Sequence, residues 1–230
     1  MSRPPLSNDS LHYTLIRHIL DHGHAPTVAE LAAQFQTSEP EVVAALRALH
    51  ADHGVVLHPH TPQVWVIHPF ALAPTSFVVR SAAGEWWGNC AWCSLGVAAL
   101  LATDVTITTA LGADDRQVTI HIQAGRVVED QYLVHFPVPM LNAWDNVIYT
   151  CSTMLLFDTE AHVDRWSARH RIAKGDVRPI AQVWDFAREW YGNHLNPAWR
   201  KWTTDEARAM FARHGLTHPI WHLPASNERF

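Results

Sequence analysis

Residues 86–101 read WWGNCAWCSLGVAALL, and the reading of this stretch decides the architecture of the whole chain. Cys90 and Cys93 stand three apart among Trp86, Trp87 and Trp92, at the mouth of an apolar run that reads as a buried helix. Cys93 then falls at the helix N-terminus, where unpaired N–H groups and the positive end of the dipole favour a thiolate. The third cysteine, Cys151, lies in DNVIYTCSTMLLF, residues 145–157. Read as extended chain, that segment puts Asp145, Val147, Tyr149 and Cys151 on one face, so a carboxylate and a thiol share one cavity. Several readings of the cysteines compete. They can be small buried hydrophobes. A zinc ribbon lacks its second cysteine pair, although a histidine could complete it. A redox dithiol suits CxxC before a helix, but no βαβ pattern surrounds it. A soft-ion site built on Cys90, Cys93 and Cys151 is the reading that uses all three.

Working outward, the first seventy residues organise as helices and a hairpin. Leu11, Leu15 and Ile19 repeat at helical spacing up to Gly23. Thr27 with Glu30, and Ser38 with Glu41, are capping boxes opening two further amphipathic helices. VVLHPHTPQVWVI then reads as two short strands about a His-Pro turn. Three helices and a hairpin is the order of a winged helix-turn-helix, yet the charges oppose DNA binding. Up to residue 75 only Arg3, Arg17 and Arg47 face Asp9, Asp21, Glu30, Glu39, Glu41 and Asp52. The would-be recognition helix begins Ser-Glu-Pro-Glu, where base and phosphate contacts would be needed. His50, His53, His58 and His60 cluster here; they read as surface decoration of the wing, with a zinc or copper site as the alternative.

Beyond the Pro69–Pro74 linker the texture becomes alternating and β-branched: SFVVR, VTITTAL, QVTIHIQ, RVVED and QYLVHF. Helical patterns return after Cys151, in EAHVDRWSARHR, IAQVWDFAREWY and a last helix capped by Thr203 and Glu206. The expected fold is α+β: an N-terminal winged-helix-like segment (1–70) packed on a mixed or antiparallel sheet core (71–195), then a C-terminal helical extension (196–230). With 48% hydrophobic and 17% charged residues the chain reads as a folded globule. A net charge of −5 gives no general attraction to nucleic acid or anionic membrane. No apolar run approaches a membrane span, and MSRPPLSNDS has no signal-like core. Three cysteines without an export signal suggest reduced thiols in a cytoplasm.

NCAWCSLGVAALLATD and DNVIYTCSTMLLFDTEAHVDRW resemble, in order, the two cysteine segments of alkylmercury lyases, and PIAQVWDFAREWYGNHL resembles that family's closing helix. The resemblance runs from about Leu11 to Leu195. It implies that Cys93 and Cys151 are an essential pair which grips the mercury of R–Hg⁺ while a proton is delivered to carbon, with no organic cofactor. It also implies that small cellular thiols remove the Hg(II) product. The tryptophans, Trp92 foremost, with Ser94, Gly96 and Tyr149, would line the pocket for the organic group. The family's acid aspartate lies three residues after the first cysteine, and Gly96 occupies that place here. Asp145, by its shared parity with Cys151, is the substitute acid that the sequence suggests, with Cys90 or Ser94 assisting. Without an acid, Cys90, Cys93 and Cys151 would form a thiolate set that holds Hg, Cu or Zn without cleaving anything. A metal-responsive DNA regulator is the third and weakest alternative.

Overall fold

The computed structural model describes residues 5–224; residues 1–4 and 225–230, the outer ends of the first and last expected segments, lie outside the described residues. The chain opens with α1 (Asn8–His22), α2 (Val28–Phe35) and α3 (Glu39–Ala51), followed by β1 (Val56–Leu57) and β2 (Val64–Ile67). The capping boxes at Thr27/Glu30 and Ser38/Glu41 both form, and Gly23 ends α1 in the left-handed conformation. Each such cap stabilises its helix by about 1 kcal/mol. The three helices and hairpin therefore stand in the expected order.

The hairpin does not close a separate unit. β2 pairs with β3 (Phe70–Ala71), which pairs with β5 (Gly84–Gly88), and β5 pairs with β4 (Val78–Ser81). After α4 (Ala91–Leu101) come β6 (Val105–Ala110), β7 (Gln117–Gln123) and β8 (Arg126–Val127). All join one antiparallel sheet in the order β1-β2-β3-β5-β4-β6-β7-β8, so strand pairing runs straight through the expected boundary near residue 70. The alternation read in VTITTAL and QVTIHIQ is kept: Val105 and Ile107 of β6, with Val118, Ile120 and Ile122 of β7, are buried. β9 (Leu133–Phe136) forms a second, three-stranded sheet between β10 (Leu156–Phe157) and β11 (Asp176–Pro179).

α4 is the axis of the molecule. It is apolar on every side, and of its eleven residues only Ala99 and Leu101 retain partial exposure. One side lies on β4 and β5, another on α7 (Ile180–Tyr191). Its start is pressed onto the sheet at Gly88, where an added Cβ would come 2.6 Å from the Ser94 Cα. The remaining helices are α5 (Val147–Thr153), α6 (Glu160–His170) and α8 (Thr204–Arg213), with α8 packed on α7. No helix among the described residues is long and apolar enough to cross a membrane.

Several tryptophans act as staples between distant segments. Their rings are wholly or partly buried, and their N–H groups donate to backbone carbonyls: Trp86 to Ile19, Trp166 to Gly112, Trp184 to Gly125 and Trp202 to Trp190, each at 2.9 Å. Trp86 thereby ties α1 to the main sheet.

The extended reading of the Cys151 segment is corrected. Asn146 accepts the Tyr149 N–H at 3.0 Å as an N-cap, and Val147, Thr150 and Cys151 fall on one buried face at helical spacing. Capping and burial of that face outweigh the β-branched preference of the run. Asp145 consequently shares no strand face with Cys151; it sits in the turn before α5.

Gly88→Ala is expected to lower stability by about 1–3 kcal/mol, because the methyl meets rigid backbone rather than a movable side chain. Urea unfolding monitored by far-ultraviolet circular dichroism reads this, and an unchanged midpoint would show that α4 can lift off the sheet freely.

Candidate soft-metal site

Three backbone segments are laced together around the thiols. The Ala91 N–H donates to the Met154 carbonyl at 3.0 Å, joining the first turn of α4 to the exit of α5. The Asn89 N–H donates to the Pro69 carbonyl at 3.2 Å, joining the same turn to the chain between β2 and β3. As a result Cys93, Cys151 and His68 meet. Their ligand atoms all lie within 4.8 Å of one another.

The three sulfurs are placed differently. Cys90 is the N-cap of α4: its Sγ accepts the Cys93 N–H at 3.3 Å, and its thiol points to the Met154 sulfur at 3.4 Å. Cys93 lies one turn in, 3.4 Å from the Tyr191 hydroxyl at the end of α7. Cys151 Sγ lies 3.7 Å from His68 Nε2. All three cysteines are buried and unoxidised.

Burial by itself would raise every one of these thiols, yet they are driven apart. At Cys93 burial is outweighed by hydrogen bonds from Cys151 and Cys90, by the neighbouring His68 and by the Tyr191 hydroxyl, and its pKa falls well below the ordinary thiol value. Burial leads in raising Cys90, and hydrogen bonding with Cys90 and Cys93 leads in raising Cys151. Burial also raises Tyr191 and lowers His68, the latter against the pull of Cys93. The cluster is therefore one thiolate set among proton-bearing neighbours.

These groups line a small, partly open pocket. Its walls are mostly apolar: Trp92, Met140, Trp144, Val147, Met154 and Trp190. No carboxylate is among the described residues that line it. Cys90, Cys93, Cys151 and Trp92 are thus gathered as the sequence suggested. Other expected residues stand elsewhere. Ser94 turns its hydroxyl back onto the Ala91 carbonyl at 2.8 Å, and Tyr149 is 48% exposed on the outer side of α5. Asp145 is exposed, accepts a hydrogen bond from Asn142 at 2.8 Å and borders a separate groove with His50 and His53.

Gly96 is explained by packing. A Cβ there would lie 2.4 Å from the Tyr191 ring and 2.9 Å from Pro69. The space into which a longer residue would project is filled by the tyrosine whose hydroxyl touches Cys93. His68 and Tyr191 are the site residues that the sequence reading missed. Tyr191 lies within the closing-helix segment quoted above, whereas His68 precedes Pro69 in a loop that no spacing links to the cysteines.

Behind the site, His194 Nδ1 reaches the His68 carbonyl at 3.2 Å, and His12 stacks on Trp199 at 3.5 Å. Burial pushes His194 down to about 3 and His12 well below its usual range.

A family model described as alkylmercury lyase matches residues 70–192. A solved structure described as the mercury-bound form of MerB2 aligns with a TM-score of 0.66 at 18% identity, over 85% of this chain and 94% of that one. No curated protein sequence matches the chain.

Gly96→Ala is expected to destabilise by about 1–3 kcal/mol, and shortening Tyr191 to alanine in that background should recover part of the loss, so that the double-mutant cycle is non-additive. Additive effects in urea unfolding would mean that the two residues do not compete for the same space. A second outcome concerns acid. Because His12 and His194 are neutral when folded and titrate near 6.5 when unfolded, the unfolded chain binds more protons below that pH. Stability is present above about pH 6.5 and declines as pH falls towards 3, by roughly 2 kcal/mol at pH 5 for His194, with His12 acting in the same direction. Urea midpoints at pH 7.5 and 5 measure it, and His194→Gln should flatten the slope.

Proposed function

The chain belongs to the alkylmercury lyase family, and from that premise we propose that it cleaves carbon–mercury bonds by protonolysis between Cys93 and Cys151. The observation that carries this reading is the meeting of two thiols from two different helices, within 4.8 Å of each other, in a mostly apolar pocket. Soft thiolates are the ligands mercury prefers, and apolar walls of tryptophan and methionine suit an alkyl or aryl group.

The step closes without an outside acid. The Cys93 thiolate displaces the exchangeable ligand of R–Hg–X, giving a sulfur-bound R–Hg group. The sulfur of Cys151 then bonds to mercury, its proton passes to carbon, and the electron pair of the carbon–mercury bond leaves with the carbon. The products are R–H and Hg(II) held by both sulfurs. The raised pKa of Cys151 keeps that proton in place until mercury, by bonding to the sulfur, acidifies it. Exchange with one external thiolate and one external thiol removes the metal and restores Cys93 as thiolate and Cys151 as thiol. This chemistry suits a reducing, thiol-rich cytoplasm. Residues 1–70, a winged-helix-like segment on this reading, serve as a wall for the core rather than as a DNA reader.

Gly96 and the absence of a carboxylate from the described pocket lining favour one second reading: a protein that holds a soft ion, Hg before Cu or Zn, without cleavage. Anaerobic incubation with phenylmercury acetate and excess glutathione separates the two. Catalytic release of benzene, reduced to background by Cys93→Ser and by Cys151→Ser but unchanged by Asp145→Asn, is the expected result. Stoichiometric uptake of mercury with no benzene would select the second reading.

A further inference from the structure

We propose that His68 Nε2 is a third protein donor to mercury, beside Cys93 and Cys151. The inference rests on the two-thiol reading above and adds a nitrogen to it.

Geometry excludes the other polar neighbours. The Cys90 sulfur is committed to capping α4 and to Met154. The Ser94 hydroxyl is bonded to the Ala91 carbonyl, and the Thr150 hydroxyl to the Ala143 carbonyl at 3.1 Å. On the Gly96 flank the Tyr191 ring closes the space, so no longer side chain at that position could reach the metal. That leaves the His68 imidazole, a ring nitrogen of which lies within 4.8 Å of both sulfurs, with Nε2 3.7 Å from the Cys151 Sγ.

That nitrogen carries its lone pair. The Asn89 side-chain nitrogen approaches Nε2 at 3.4 Å, a long contact in which the amide N–H₂ donates to the ring and which metal binding at Nε2 would replace. Neutral imidazole with a lone pair towards the thiols is the ligating form. The residue is also held in place from outside, since its carbonyl accepts from His194 and its ring meets Trp144 edge-on at 5.1 Å. Such outer partners orient metal-binding histidines. A nitrogen beside two sulfurs would strengthen retention of Hg(II) after cleavage and leave the metal more resistant to stripping by thiols.

The test uses the full-length, fully reduced protein loaded with one equivalent of mercuric chloride. X-ray absorption at the mercury edge should show two sulfurs and one nitrogen with the outer-shell scattering of an imidazole. His68→Ala should lose the nitrogen and release mercury at a glutathione concentration lower by at least about tenfold, the scale seen even for partners outside a ligand shell. Added imidazole should shift that concentration back. A wild-type spectrum containing sulfur alone, or identical stripping curves for wild type, His68→Ala and His68→Asn, overturns the assignment. His68→Asn serves where circular dichroism shows the alanine variant unfolded. If instead Cys151→Ser retains mercury as tightly as wild type, the two-thiol reading fails and not merely the histidine.

Discussion

Two backbone hydrogen bonds hold the candidate site together: Ala91 N–H to the Met154 carbonyl, and Asn89 N–H to the Pro69 carbonyl. Cys93 and His68 are 25 residues apart, and Cys93 and Cys151 are 58 apart. Neither local helix geometry nor strand pairing relates them. The turn from Asn89 to Ala91 is therefore a junction at which β5 ends, α4 begins and both remote segments are pinned. Gly88 permits that turn to lie flush on the sheet, since a side chain there would strike Ser94. Cys90 then fixes the first turn of α4 from inside by capping it with sulfur, a weak acceptor that few N-caps use. Because the cap is a buried thiol rather than a hydroxyl, the helix start remains largely apolar.

That burial sets the electrostatics. In a polar cleft three cysteines would titrate near their usual value and hold comparable protons. Here burial works against charge, and one thiolate is tolerated because neighbouring thiol and hydroxyl groups, Cys151 and Tyr191 among them, donate to it. The arrangement concentrates negative charge on Cys93 while Cys151 keeps its proton, although the two lie within 4.8 Å. The difference between them comes from position. Cys93 sits in the first turn of α4 with the Tyr191 hydroxyl beside it, while Cys151 is late in the short α5, far from that helix's positive end.

Much of this is legible in the residues themselves. The capping boxes, the β6 and β7 alternation and the apolar α4 are local patterns, and local patterns survive folding when the core agrees with them. Cys93 and Cys151 are recognisable because their flanking segments carry a family's pattern. The helix at Cys151 is hidden because Val147, Ile148, Tyr149 and Thr150 favour strands individually. Their helical spacing becomes decisive only once Asn146 is seen to cap them and the opposite wall is known. The extended reading is also what carries Asp145 from the surface into the expected cavity. His68 is invisible for a different reason. It belongs to a connection between β2 and β3, its role arises solely from where Pro69 and Asn89 meet, and nothing in VIHPF announces a ligand.

Gly96 shows why a residue's absence has to be read together with what replaces it. Residues 93 and 96 share one face of α4, so the first is naturally flanked by the second. A glycine in a buried helix interior is unfavourable by roughly 1 kcal/mol relative to alanine, and it persists where something must come close. What comes close is Tyr191, fully buried, with its ring over Gly96 and its hydroxyl on Cys93. The tyrosine thus contributes on one flank a hydrogen bond to the thiolate and a solid apolar wall, and it contributes no carboxylate. With this flank charge-neutral, the proposed chemistry takes its proton from Cys151 and its extra donor from His68.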